Sequence, residues 1–168
     1  MKKTILNKNI VKIAITGILL FGFIITGLTD ALLHGKTSYS SIMGMDINRV
    51  YFYTLFLLIM GCWLLYNKWF VGIGFLALAA FPSYFKEFII MHNYFASVLI
   101  YIGIIIDIVI RKKFKWIIPF IVLGIIQGLA FLVPWMSSYF VGFMEFSSLC
   151  IGSVFIIKSY LNNLKNES

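Results

Sequence analysis

Residues 88–133 read FIIMHNYFASVLIYIGIIIDIVI, then RKKFK, then WIIPFIVLGIIQGLAFLV. Two long apolar runs, Phe88–Ile110 and Trp116–Val133, flank a cluster in which Arg111, Lys112, Lys113 and Lys115 supply four charges. An α-helix rises ~1.5 Å per residue and a bilayer core is ~30 Å thick, so about 20 apolar residues suffice to cross. Inside the hydrocarbon every backbone N–H and C=O must be paired within the segment, which a helix achieves by itself. The stretch therefore reads as two membrane-crossing helices joined by a basic turn. Such turns stay on the cytoplasmic side.

Working outward, four more apolar runs have comparable length. The pattern predicts an all-α, polytopic membrane bundle of six helices, at about 10–29, 50–66, 69–85, 88–110, 116–133 and 139–157. Asn67-Lys68 and Lys86-Glu87 mark tight turns, and Pro134-Trp135-Met136-Ser137-Ser138 marks another. Pro119 falls in the first turn of the fifth helix, where a missing N–H costs little. The longest connection is the polar loop Asp30 to Arg49, and Asp46 is placed to cap the second helix.

Composition agrees. Of 168 residues, 61% are hydrophobic and 12% charged, whereas soluble domains carry about 25% charged residues. Six spans use most of the chain, so residues 1–168 form one membrane domain. Met1-Lys2-Lys3 and the apolar run behind it read as a retained first helix, since Gly27-Leu28-Thr29-Asp30-Ala31 is a poor cleavage site.

With the N-terminus inside, the inner segments hold eleven Lys and Arg residues, and the outer ones hold three, Lys36, Arg49 and Lys86. This asymmetry predicts both termini in the cytoplasm and a multi-pass protein of a bacterial cytoplasmic (plasma) membrane. It also accounts for the net charge of +8 without nucleic acid. Trp69, Trp116 and Trp135 fall at helix ends, as interfacial aromatics do. Cys62 and Cys150 are isolated in apolar runs and read as buried free thiols.

Ionisable groups inside a bilayer are costly and tend to face the bundle interior. Glu145 lies about seven residues into the sixth helix, and Ser148 and Gly152 share its face at ~100° per residue. That face is expected to meet protein rather than lipid. His92 lies early in the fourth helix and Gln127 late in the fifth. All three reach a similar depth from the outer side, which is the condition for a shared site. Asp30 and His34 belong to the long outer loop, together with Thr37, Ser38, Tyr39, Ser40 and Ser41. Such a loop could roof a pocket beneath it. Asp107 precedes Arg111 by four residues, which predicts a structural ion pair near a helix C-terminus.

Hydrolase and phosphate-handling motifs are missing. His34 and His92, with Asp30 or Glu145, lack a diagnostic metal spacing, so no metal and no cofactor are expected. The reading that follows is a non-enzymatic membrane protein with an outward-facing polar pocket for a lipid headgroup or small solute. Its alternatives are a lipid-modifying enzyme using His92 and Glu145, and an accessory subunit of a membrane complex. The expected partners are membrane lipids and a small-molecule or lipid ligand. Gly124 and Gly128 form a GxxxG spacing that permits close helix packing in either case.

Two stretches carry a resemblance. One is His34-Gly35-Lys36-Thr37-Ser38-Tyr39-Ser40-Ser41-Ile42-Met43-Gly44, ahead of a helix that ends near Gly61. The other is Phe81-Pro82-Ser83 followed by His92-Asn93. With six spans, this pattern resembles bacterial membrane proteins of the Frag/DRAM/Sfk-like group. The resemblance implies six helices and cytosolic termini, and no particular reaction. A more distant likeness to the ceramidase and progestin-receptor superfamily would imply a histidine-bound metal, but the paired HxxxH of that group is missing here.

Overall fold

The computed structural model describes the backbone of residues 2–36, 42, 45–132 and 138–167. Six α-helices of ten residues or more are formed among them: α1 Lys2–His34, α2 Ile47–Tyr66, α3 Val71–Ala80, α4 Ser97–Ile110, α5 Ile117–Leu132 and α6 Ser138–Glu167. No strand occurs among the described residues. Four segments are long and apolar enough to cross a membrane: Asn9–His34, Ile47–Tyr66, Met91–Ile110 and Gly142–Asn162. Val71–Ala80 and Phe114–Leu129 are apolar but shorter.

Each helix packs on the next in sequence, and α6 packs back on α1, so the six close a ring. Partners alternate in direction. The first half of α1 (Thr16), the end of α2 (Trp63), the start of α3 (Trp69), the end of α4 (Asp107, Arg111), the start of α5 (Trp116) and the second half of α6 (Phe155, Tyr160) meet at one end of the bundle. Toward the other end lie Asp30 and His34 of α1, Arg49 of α2 and the Phe81–His92 connection.

The outer surface is apolar. Ile18, Leu32, Tyr66, Ile90 and Ile118 are each at least 70% exposed. A soluble monomer rarely shows such continuous apolar surface, but a bilayer-embedded one requires it. Cys62 and Cys150 lie on this outer surface and are exposed, contrary to the expectation of buried thiols. Each stands on the face of its helix that points away from the ring.

Several boundaries differ from the sequence reading. α1 continues through His34, so Asp30 and His34 are helical and the outer loop is shorter than expected. Gly35, at φ +60°, ends it, and Lys36 N–H closes onto the Ala31 carbonyl. Glycine tolerates that left-handed backbone without steric cost. The loop residues 37–41 and the Pro134–Ser137 turn lie outside the described residues. α6 runs on past residue 157 to Glu167, because no Gly or Pro interrupts it and Ser159 and Tyr160 are buried against the bundle.

The largest change is α3, ten residues rather than the expected 69–85. Pro82 disfavours helical backbone at the residue before it, and Phe81 adopts φ −122°, ψ 70°. Pro82 and Ser83 are buried. A π-helical turn over Met91–Ala96 then leads into α4.

The short α3 is held tightly on both sides. A Cβ on Gly72 would stand 2.6 Å from the Gly61 carbonyl of α2, and one on Gly103 of α4 would stand 2.7 Å from Val71 Cα. Gly124 packs on the Tyr101 ring, whereas Gly128 faces open space, so the GxxxG spacing contributes one internal contact.

At the Trp69 end, Asp107 and Arg111 attract one another as expected, but each makes its direct contacts elsewhere. Asp107 accepts the backbone N–H groups of Phe70 and Val71 at 2.9 and 3.0 Å. It thereby pairs donors that open α3 and would otherwise be orphaned. Arg111 lays its guanidinium 3.6 Å over the Trp69 ring and donates to the Lys68 carbonyl at 3.0 Å. The carboxylate is taken by two converging N–H groups and the guanidinium by an aromatic face and a carbonyl. Among the described residues the two charges form no direct bridge. Trp69 itself is buried rather than interfacial, and it donates to Tyr160 at 2.8 Å.

Candidate functional site

The ring encloses a cavity of about 100 Å³ to which all six helices contribute. That is room for several water molecules, since one needs ~10–15 Å³ on this measure. Toward the Trp69 end the wall is apolar apart from Ser153: Leu20 from α1, Leu57 from α2, Val71 and Phe75 from α3, Ile104 from α4, Phe120 from α5 and Ile156 from α6. Toward the other end it becomes polar, with His92, Asn93, Ser97, Tyr101, Gln127, Glu145 and Ser148.

Helix geometry sets this division. His92 and Asn93 sit in the π turn and Tyr101 about one turn into α4. A π turn inserts an extra residue into the helical ladder and shifts the faces on either side of it. His92 and Ala96 are both buried. The His92 Nδ1–H donates to the Phe81 carbonyl at 2.8 Å. That bond pairs a carbonyl left free where α3 stops short, and it fixes the imidazole plane. In a neutral ring it leaves Nε2 as the acceptor.

Tyr101 is the centre of the polar network. Its hydroxyl donates to Gln127 Oε1 at 2.6 Å and stands 2.9 Å from Ser148 Oγ. A tyrosine has one proton to donate, so Ser148 is the donor in the second contact. The network joins α4, α5 and α6. With Oε1 occupied, the amide NH₂ of Gln127 supplies its remaining donors. Glu145 is partly buried, one turn from Ser148 on the same face of α6. Further along, Gly152 lines the cavity, and a Cβ there would meet only Ile104 Cδ1 at 3.9 Å.

Three of the expected site residues thus surround one cavity: His92, Gln127 and Glu145. The other two, Asp30 and His34, belong to a separate cluster toward the loop end. There Arg49 Nε donates to Asp30 at 3.3 Å, Arg49 Nη1 pairs with Asp46, and Tyr53 donates to Asp30 at 3.0 Å. Arg49 Nη2 stands 2.7 Å from His34 Nε2. The same His34 nitrogen stands 3.5 Å from Asp30 Oδ1. The Arg49 backbone N–H, with its side chain, holds the Asp46 carboxyl below the usual carboxylate range. Asp46 caps α2 as expected from the sequence. This cluster clasps α1 to α2 and lines a shallow open groove with Asn48 and Phe52. Phe23 and Tyr53, in edge-to-face contact at 5.9 Å, stand between the clasp and the cavity.

Sequence reasoning missed Tyr101, Asn93 and the role of Arg49. Tyr101 did carry a signal, because a tyrosine hydroxyl deep in an apolar run needs a partner when buried. The three side chains that Arg49 reaches, Asp30, His34 and Asp46, carried none. Among the described residues, no group of three His, Cys, Asp or Glu side chains is close enough to hold a metal ion. Compared with protein families, with curated proteins and with solved structures, the chain matches none.

Proposed function

We propose that the chain crosses a bacterial cytoplasmic membrane six times with both termini inside, and that its central cavity binds a lipid headgroup or small solute admitted from the outer side. The antiparallel ring, the apolar exterior and the eleven-to-three partition of Lys and Arg support this topology. In that frame the Trp69 end is cytoplasmic and the Arg49 clasp is external. The short α3 is supplemented by the chain on either side of it, Trp69-Phe70 and Phe81–Phe88. The resemblance to the Frag/DRAM/Sfk-like group forms part of the same proposal.

One observation carries the binding function: a cavity lined from all six helices, with most of its polar groups gathered at the end away from the basic turns. Polar side chains in hydrocarbon are retained where they serve a site or pair with one another. Here they do both, since Tyr101, Gln127 and Ser148 are mutually bonded and face an open volume. An accessory subunit would need no such interior.

Gly152→Leu tests this reading, because the side chain would fill the cavity without a backbone clash. Native mass spectrometry of the protein purified from its own membrane should show a bound adduct in the wild type and its loss in Gly152→Leu. Equal adducts in both would refute the cavity as the binding site. Topology is tested separately with cysteines at Lys86 and Lys112, both exposed, in a chain lacking Cys62 and Cys150. An impermeant thiol reagent added to intact cells should label the first only, and equal labelling would overturn the inside–inside arrangement.

A further inference from the structure

We infer that the two turns at the Trp69 end, Asn67-Lys68 and Arg111–Lys115, together bind the phosphate of an anionic phospholipid of the inner leaflet. The inference rests on the proposed topology, which puts this end at the cytoplasmic surface, and concerns a site apart from the cavity.

Three helices end in related backbone closures. Lys36 N–H closes α1 onto the Ala31 carbonyl at 2.9 Å. At the end of α2, Trp69 N–H reaches the Leu64 carbonyl at 2.9 Å and Lys68 N–H the Leu65 carbonyl at 2.8 Å. At the end of α4, Lys113 N–H reaches Ile108 at 2.9 Å and Lys112 N–H reaches Val109 at 3.0 Å. Such a closure holds one residue in the left-handed region, ordinarily a glycine. Toward the loop end that residue is Gly35, at φ 60°. Toward the Trp69 end it is Lys68, at φ 61°, and Lys112, at φ 54°. A Cβ is crowded in that backbone, and glycine has none. The dipole of a helix C-terminus favours a nearby cation, but does not require it on the left-handed residue itself, since Lys36 follows Gly35 at the end of α1. Lysine therefore stands at both inner closures against the backbone preference.

The two lysines belong to one surface. Arg111 donates to the Lys68 carbonyl at 3.0 Å and lies over the Trp69 ring, which fastens the two turns together. Lys68, Lys112 and Lys115 are exposed. Neither turn contains Asp or Glu, and the Asp107 carboxyl is 1% exposed and taken by the Phe70 and Val71 N–H groups. Ammonium groups on flexible stems bind phosphate oxygens as point charges. The neighbouring apolar side chains make the occupant a lipid. Phe70, Ile110, Phe114 and Ile118 are exposed beside the lysines. A soluble anion would leave them in water, whereas a phospholipid covers them with its glycerol and upper chains while its phosphate meets the lysines. Both turns are short, so their long side chains reach headgroup depth.

The test is native mass spectrometry of the full-length protein in non-ionic detergent, titrated with dioleoyl phosphatidylglycerol or dioleoyl phosphatidylcholine. Wild type should retain the anionic lipid about tenfold more tightly or better, the order expected for two lysines facing one headgroup. Lys68→Gly/Lys112→Gly removes both charges while relieving the backbone, and should cut the preference to within about threefold. Lys68→Asn/Lys112→Asn, which also tolerates the left-handed region, should do the same. Lys12→Gln/Lys158→Gln removes two charges from α1 and α6 and should keep the preference. An equal loss in that variant would overturn the site by reducing it to net charge, and an undiminished preference in both turn variants would overturn it outright. Displacement of the bound lipid by equimolar inorganic phosphate would overturn the lipid as occupant. Micelles have no sides, so these results bear on the site alone. Labelling of a cysteine at Lys112 from outside intact cells would separately overturn its assignment to the inner leaflet.

Discussion

Removal of the Asp107 carboxylate tests the packing logic most directly. Its two oxygens take the N–H groups of Phe70 and Val71 at 2.9 and 3.0 Å, and the residue is 1% exposed. Asp107→Ala would leave two donors without partners, one part-buried and one buried. At ~1–3 kcal/mol for each buried unpaired group, the loss is about 2–6 kcal/mol. Asp107→Asn keeps one acceptor but turns an amide NH₂ toward the second donor and removes the charge at the start of α3. A loss of about 1–3 kcal/mol is expected there. The measurement is reversible unfolding of the purified protein in mixed detergent micelles. If the carboxylate acted instead through Arg111, the cost of Asp107→Asn would disappear in an Arg111→Gln background. Capping of α3 predicts that most of the cost persists in that background. A loss below ~0.5 kcal/mol for Asp107→Ala would refute the reasoning, since no orphaned pair of buried donors is that cheap.

Other consequences follow from local geometry. Gly103→Ala should destabilise by about 1–3 kcal/mol through overpacking, because its Cβ would meet Val71 Cα and the Phe70 carbonyl at 2.7 and 2.8 Å. Gly128→Ala, with nothing within 4 Å, should be neutral in the same unfolding assay, and equal losses would contradict the close approach of α3 and α4. Lys112, at φ 54°, ends α4 in a left-handed conformation that costs a non-glycine residue ~1–2 kcal/mol. Lys112→Gly should therefore raise the melting temperature modestly, and a fall would argue against that backbone. Asp46 has a carboxyl held below its ordinary pKa, so its contribution is present above the unfolded value and is lost as pH falls through the folded one. Thermal stability should decline on acidification below about pH 4 less steeply in Asp46→Asn than in wild type, and identical profiles would contradict the Arg49 clasp.

Much of the fold was legible because it depends on quantities that are local along the chain. Apolar run length and the placement of Lys and Arg report solvent preference residue by residue, and they predicted six helices in order. The Asn67-Lys68 turn was legible for the same reason: Lys68 N–H and Trp69 N–H close onto the Leu65 and Leu64 carbonyls within one turn. That His92, Gln127 and Glu145 lie toward the same end of the bundle was also readable, since it follows from helical rise.

What only the tertiary structure decided is which side chains face each other across helices. The i,i+4 spacing of Asp107 and Arg111 suggested a bridge, but the spacing could not register that α3 stops short beside them with open N–H groups. Those donors, and the Trp69 ring, take the direct contacts, and the two charges keep only a longer-range attraction. Nor could run length show that Pro82 would cut α3 to ten residues and leave the Phe81 carbonyl to be met by His92. Tyr101 becomes the hub of the cavity because ring closure brings Gln127 and Ser148, twenty-six and forty-seven residues away, within hydrogen-bonding distance. Sequence periodicity determines which face of a helix turns inward, but the partner on that face is set by the packing of six helices at once.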